Sequence, residues 1–316
     1  MNAMLRYLKP VLLCLPLSLC ATVAHANPLG GIAAEYAEVS TRGTTTHLVD
    51  IDNDTLLLNR DDGFYTSGLR YTRLSSLRGN GTVTSFGWRL GQELYTASDI
   101  KLPPELVGPP NHPYAGWLYG GFFKDVQRAD GTYTRFGIDI GCLGPCAGGE
   151  WTQTQFHKIL DQPLPRGWSK QVRNEVGVVL HGEFAPVRWS PSRSVDITPA
   201  FGARFGNIFT DASASLLVRA GQLHAAPSDS AFHVFLRAEG RVVGHNGTLE
   251  GGYFRKDNPH TVEPKRVTGS AEAGLGWTYG PFGATLAFVR RGNEIRDLPN
   301  SIGAQNYLHL QFSYRP

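Results

Sequence analysis

The chain is poor in sulfur, nearly balanced in charge and, after its first residues, empty of long apolar runs. Of its 316 residues only four are cysteine and two methionine. Cys142 and Cys146 stand in Cys-Leu-Gly-Pro-Cys with no second Cys/His pair beside them, which is not a zinc signature. They are expected to bridge across a turn in an oxidising compartment, the alternative being two free thiols. Lys and Arg number 30 against 27 Asp and Glu, a formal charge of +3, and Arg6 and Lys9 supply two of those three charges. The remainder is too neutral for net charge to argue for nucleic acid or another polyanion as partner. Beyond Ala26 no apolar stretch approaches the roughly 20 residues of a membrane helix. Internal repeats, low-complexity segments and any linker that would divide a domain are also missing. So are a Gly-x-Ser-x-Gly elbow, a His-Glu-x-x-His helix and a nucleotide loop, which argues against serine, zinc-protease and nucleotide chemistry.

What is present begins with a leader. Arg6 and Lys9 precede an almost wholly apolar run from Val11 to Ala21, and Ala24-His25-Ala26 offers small residues at the two positions a signal peptidase reads. Residues 1–26 are therefore expected to be a signal peptide, cleaved before Asn27, carrying Cys14 and Cys20 away. A lipoprotein anchor fits poorly, because Leu19 stands where a small residue is wanted before Cys20.

The rest, 27–316, is expected to be one all-β domain. Apolar and polar residues alternate with period two in segment after segment. Phe136, Ile138 and Ile140 alternate with Arg135, Gly137 and Asp139; Phe232, Val234 and Leu236 with His233 and Arg237; Leu308, Leu310 and Phe312 with His309 and Gln311. A soluble sandwich alternates too. Here, however, the other face carries Arg, Glu, Asp, His, Gly and Thr on strand after strand, as the hydrated lumen of a transmembrane barrel does. Trp88, Trp117, Trp277, Tyr279 and Phe282, near strand ends, are candidates for interfacial girdles.

Twelve strands are expected, near 45–53, 66–76, 82–94, 116–126, 132–142, 174–185, 194–206, 213–223, 231–243, 267–279, 282–291 and 305–314. Their connections alternate between short turns, one of them a Pro-containing turn around 186–193, and mostly longer loops at 54–65, 95–115, 143–173, 207–212, 244–266 and 292–304. An even strand count with short turns at one end and long loops at the other is the pattern of a bacterial outer-membrane barrel.

The long loops hold the candidate chemistry. Asp50-Ile51-Asp52-Asn53-Asp54, with Asp61-Asp62 farther on, clusters oxygen donors that suit a hard cation such as Ca²⁺, without EF-hand spacing. Alternation points Asp50, Asp52 and Asp54 into the lumen and Asn53 outward, so Asn53 and Asp54 can act together only if the strand ends or bulges there. Gly148-Gly149 opens a short helix on which Gln153 and His157 share one face. Such a helix would set His157 above the barrel mouth as a general base suited to neutral pH. Thr66 opens a strand and Lys101 sits in the second long loop. Strand counting brings Asp54, Thr66, Lys101 and His157, spread over 100 positions, to the same end of the barrel.

Asp52-Asn53-Asp54 followed by Tyr65-Thr66-Ser67-Gly68, Gly91-Gln92-Glu93-Leu94-Tyr95-Thr96, Pro113-Tyr114-Ala115-Gly116-Trp117, Gly148-Gly149 with Gln153 to Leu160, and Val243-Gly244-His245-Asn246 together resemble the lipid A 3′-O-deacylase family of outer-membrane barrels. The resemblance runs in order over nearly the whole mature chain. It implies a twelve-stranded barrel that hydrolyses the 3′-linked acyl ester of lipid A, or lipopolysaccharide, with Ca²⁺ as cofactor. It also implies His157 as base and Asn53, Asp54 and Thr66 as its catalytic companions. Lys101 and Gln153 then contact substrate, Asp54 and Asp52 hold the metal, and the protein sits among outer-membrane lipids; a monomer is the expectation, though the sequence does not fix the oligomeric state. Asp161 does not match by spacing the acid that some members carry after the His helix. An outer-membrane phospholipase and a non-catalytic, porin-like or structural barrel are the competing readings.

Overall fold

The computed structural model describes residues 28–54, 56, 63–223 and 230–316. The expected signal peptide, Asp61 and Asp62 of the acidic loop, and residues 224–229 lie outside the described residues. Thirteen strands form one antiparallel sheet: β1 (Thr44–Asn53), β2 (Phe64–Gly79), β3 (Thr82–Thr96), β4 (Ala115–Arg128), β5 (Tyr133–Leu143), β6 (Glu175–Ala185), β7 (Trp189–Ser192), β8 (Val195–Gly206), β9 (Phe209–Gly221), β10 (Ala231–Asn246), β11 (Val267–Tyr279), β12 (Phe282–Arg291) and β13 (Gln305–Tyr314). Because β1 pairs with β13 and β6 with β8, twelve strands close on themselves. The extra one, β7, is a four-residue hairpin arm on β8, within the stretch expected to be only a Pro-containing turn. It contains Pro191, which cannot donate to a ladder and is at home on an edge.

The short-turn end follows from turn chemistry. At Asn80-Gly81, between β2 and β3, both residues have positive φ (49° and 71°), the conformation a two-residue hairpin of matching twist demands. Among the described residues the long-loop end carries three α-helices, α2 (Gly149–Ile159), α3 (Gly247–Glu250) and α4 (Asn300–Gly303). A fourth helix, α1 (Pro28–Arg42), precedes β1 and gave no sign of itself in the period-two pattern. No described helix is long and apolar enough to cross a membrane.

The two faces of the wall differ sharply. Outward lie Leu69, Leu90, Phe136, Ile140, Phe201, Phe205, Leu236 and Phe312, all exposed in the isolated chain, as lipid-facing side chains are. Inward lie guanidinium–carboxylate pairs. Arg89 grips Asp139 through Nε (2.8 Å) and Nη2 (2.5 Å), and Arg135 grips Asp125 twice at 2.7 Å. Arg219 holds Asp196, while Arg204 and Arg241 converge on Asp211. Arg89, Asp139, Arg135, Arg204, Asp211 and Arg241 line a lumenal cavity of about 340 Å³. Toward the loop end the lumen fills with Tyr65, Tyr95, Trp117, Tyr119, Leu143, Ile208, Phe209 and Tyr307. Trp117 is therefore not a girdle residue: it shares the inward parity of Tyr119 and stacks on it at 5.7 Å.

Candidate active site on the outer wall

β1 decides which of its acids are available. Inside the barrel, Asp50 accepts from Arg70 Nε (3.2 Å) and Gln311 Nε2 (2.7 Å). Asp52 accepts from Tyr65 Oη and His309 Nδ1, each at 2.7 Å. The strand stops at Asn53, and Asp54 falls in a bend, the break that joint action of Asn53 and Asp54 requires. Asn53 Oδ1 accepts from the Leu56 amide (3.2 Å), which leaves Nδ2 as the donor end of that side chain. Asp54 is only 5% exposed, and its Oδ2 accepts from the Gly63 amide at 3.1 Å.

Thr66 reaches its place through a β-bulge. Tyr65 pairs with Tyr95, yet the next pair is Ser67 with Leu94, so Thr66 is the extra residue. Without the bulge, Thr66 would share the lumenal face of Gly68 and Arg70. With it, Tyr65 points inward and Thr66 joins the outer face of β3. There its Oγ1 lies 2.7 Å from Thr96 Oγ1, with both hydroxyls buried.

The same outer face receives α2. Gln92 and Leu94 alternate with the inward Glu93 and Tyr95. Gln92 Nε2 donates to Ala147 O (2.7 Å) at the turn that leads into the helix. A Cβ on Gly149 would come within 3.0 Å of Leu94 and the Trp168 ring, so only glycine allows the helix this close to the wall. Gly148, at φ 69°, makes the preceding left-handed turn. The helix thus stands against the outside of the barrel and not over its mouth, where the sequence suggested His157 would sit. Trp151, Phe156, Ile159 and Leu160 are exposed on it, while Gln153 and His157 are buried on the face between helix and wall.

His157 Nδ1 lies 2.6 Å from Pro163 O. A carbonyl only accepts, so Nδ1 carries the proton and Nε2 is the basic nitrogen of the neutral ring. Gln153 Oε1 accepts from the Trp168 indole (2.8 Å), and among the described residues its buried Nε2 has no hydrogen-bond partner. Trp168 packs with Leu94, Ala97, Val107 and Tyr114, fastening the third long loop to the second. The Arg166 amide donates to Ile100 O (2.9 Å), which brings the exposed Lys101 beside the segment that follows His157.

Pro163, Trp168 and Thr96 were missed as site-building residues. Pro163 acts through a backbone carbonyl and leaves no signal in sequence. Thr96 ends the Gly91–Thr96 motif, and only the bulge reveals that it meets Thr66. The expected Cys142–Cys146 disulfide is formed, with Cα atoms 5.9 Å apart, and closes the turn ahead of α2.

Over the mouth itself, Phe64, Leu249, Val262 and Ile295 form an apolar cap. His112 lies beneath it, stacked on Tyr95 at 5.3 Å with Nδ1 donating to Pro113 O (2.6 Å). Burial pushes its pKa down to about 4, and the loop residue His260 is lowered for the same reason.

Among the described residues no group of three His, Cys, Asp or Glu is placed to hold a metal. The donors at the rim are nevertheless all oxygens: the buried Asp54 carboxylate, the Asn53 amide and the Thr66 and Thr96 hydroxyls. That donor chemistry fits a hard cation. Asp52, whose oxygens accept from Tyr65 and His309, lies on the lumenal face of the wall, opposite to these donors.

No curated protein matches the chain. Among solved structures, LpxR from Salmonella typhimurium is similar with a TM-score of 0.72 at 20% identity, covering 85% of this chain and 99% of that one. The β domain of the Bordetella autotransporter BrkA aligns with a TM-score of 0.48 at 10% identity, covering 86% of this chain and 98% of that one. The family model described as outer membrane protein LpxR matches residues 12–315. With the closed barrel and its lipid-facing wall, that match makes the chain a member of the LpxR family of bacterial outer-membrane proteins that modify lipid A.

Proposed function

We propose that the protein is a lipid A deacylase that hydrolyses the 3′-linked acyl ester in the outer leaflet. One observation carries this reading: a buried histidine of fixed tautomer lies between the outer wall and a helix that exposes the large apolar side chains Trp151, Phe156 and Ile159 beside Glu150 and Lys158. A soluble substrate would call for a site facing water. A membrane lipid can bring its ester to this gap while its acyl chains stay beside Leu90 and Leu118.

His157 Nε2 takes the proton from the attacking water, and Pro163 O holds the ring in the tautomer that can do so. As charge grows on the carbonyl oxygen, the Thr66 hydroxyl, Asn53 Nδ2 and the unpartnered Gln153 Nε2 are donors able to meet it. Lys101, exposed beside the site, offers a point charge for a lipid A phosphate. Asp54, with the Asn53 and threonine oxygens of the same rim, would hold Ca²⁺. The ion, when bound, supplies Lewis-acid polarisation of the ester. A porin-like role fits less well, since the lumen is crossed by ion pairs and closed by its aromatic and apolar clusters.

The test is mass spectrometry of lipid A from cells expressing the wild type or His157→Ala, with and without a calcium chelator. Loss of the 3′-linked acyl group with the wild type alone, abolished by chelation, is the expected result. Unchanged lipid A in cells with correctly inserted wild-type protein would overturn the assignment.

A further inference from the structure

The site accounts for α2 but leaves α1 unexplained. This helix lies on the same outer sector of the wall, at the opposite end of the strands. Its Tyr36 packs edge-on against Phe86 of β3 (5.5 Å) and Phe122 of β4 (5.7 Å) and accepts from Trp88 Nε1 at 3.1 Å. Phe86, Trp88, Phe122 and Lys124 all have lipid-facing parity, opposite to the inward Arg89, Phe123 and Asp125. Phe86 is nonetheless only 2% exposed, because α1 covers it.

The direction of the helix follows from where its ends touch. Glu35 pairs with Lys124 on β4 (2.5 Å), and Gly43 lies against Ser76 on β2, just before Thr44 opens β1. Eight residues of α-helix rise about 12 Å. The three strand spacings from β4 to β1 span about 14 Å. The helix therefore runs across the strands, around the wall, and not along them.

Its two flanks differ in chemistry. Ala37 and Glu35 sit about 100° to either side of Tyr36. β4 descends toward the short-turn end from Phe122 to Lys124, so the Glu35 flank, with Glu38 and Arg42 paired at 2.5 Å, faces that end and water. The opposite flank carries Ala33, Ala37 and Thr41, all exposed, with the Thr41 hydroxyl donating to Ala37 O (2.8 Å), and faces the middle of the wall, where Trp88 and Leu90 are open to lipid. An ion pair on lipid-facing parity is costly in hydrocarbon but tolerable at the membrane interface.

We propose that α1 is an in-plane amphipathic helix that contacts the phospholipids of the periplasmic leaflet, its alanine flank against acyl chains and its charged flank in the headgroup layer. It floors the wall sector whose other end holds the His157 site. The continuity of its apolar flank with the lipid-facing band selects lipid as the occupant.

The test places a spin label at Ala37→Cys, Glu38→Cys or, as a wall reference, Leu90→Cys. The protein is extracted from the outer membrane and reconstituted in phosphatidylethanolamine/phosphatidylglycerol vesicles. Labels at positions 37 and 90 are expected to collide preferentially with dissolved oxygen, and the label at 38 with a water-soluble nickel chelate. Positions 37 and 38 both favouring the chelate, while position 90 favours oxygen, would overturn the proposal. So would equal oxygen preference at 37 and 38. Heat-modifiable migration on gels confirms that each labelled barrel is folded, and all three positions are exposed enough to accept a label.

Discussion

Strands β1 to β4 carry polar groups on both faces, yet the two faces use them differently. On the lumenal face Asp50 and Asp52 are held by Arg70, Gln311, Tyr65 and His309 of the neighbouring strands, while Asp125, and Asp139 of β5, are each gripped by two nitrogens of one arginine. That face is spent on holding itself together. On the outer face, near the loop end, the buried Gln153 Nε2 has no hydrogen-bond partner among the described residues, and Nε2 is the basic nitrogen of His157. Charged groups saturated by one another give rigidity, whereas polar groups left with capacity in a dry gap can bind and react.

The sharpest way to break this comparison is at His157. His157→Ala should lower turnover by about 10²–10⁴-fold, the usual worth of a positioned base, with the folded barrel unchanged on gels. Equal loss of folded protein would move His157 to the structural side. The converse experiment is Asp139→Ala, which strands Arg89 inside the barrel. It should reduce unfolding stability by about 3 kcal/mol, the low end for breaking a buried pair because the lumen is hydrated, while the folded fraction keeps its activity. Urea unfolding from vesicles measures the first effect and single-turnover assay the second.

Smaller effects sharpen the outer site. Replacing Cys142 and Cys146 by serine removes a crosslink over a very short loop, worth about 2 kcal/mol at most in chain entropy. Its effect should concentrate on amide-exchange protection of α2. Lys101→Ala should raise KM for phosphorylated lipid A about tenfold, as expected for losing one hydrogen bond to a charged group, with kcat unchanged. Dephosphorylated lipid A should not distinguish the two proteins.

The smallest effect expected is that of pH on the cap. The pKa of His112 is about 4 in the folded loops, below its ordinary value near 6.5, because burial disfavours the cation. Between those values the unfolded loop binds more protons, so the stability of the cap is full above pH 6.5 and declines as pH falls toward 4. Protease nicking of the second long loop should rise over that window, and His112→Phe should flatten the rise.

Much of the barrel was legible because alternation is a local signal that a one-residue slip would destroy. Strand positions, the disulfide turn and the helix over 149–159 could be read directly from sequence. The end of β1 at Asn53 followed from asking how Asn53 and Asp54 could act together. Less legible were features set by contacts distant in sequence. The side of the wall on which α2 stands depends on Gly149 meeting Leu94, and Thr66 reaches the outer face only through a bulge that alternation treats as a phase error. Trp117 was misread as interfacial because a tryptophan near a strand end looks the same from either face. α1 escaped notice because its contact face is a few residues, Tyr36 and Val39 among them, flanked by alanine and glycine.

The most direct test of an outer-wall lipid A deacylase uses the purified protein, with Ca²⁺, in vesicles that contain both lipid A and glycerophospholipid. Released acyl groups are identified by mass spectrometry. The account predicts release of the 3′-linked group from lipid A alone, and its loss in His157→Ala. Fatty acid released from the glycerophospholipid, or release that persists in His157→Ala, would contradict it.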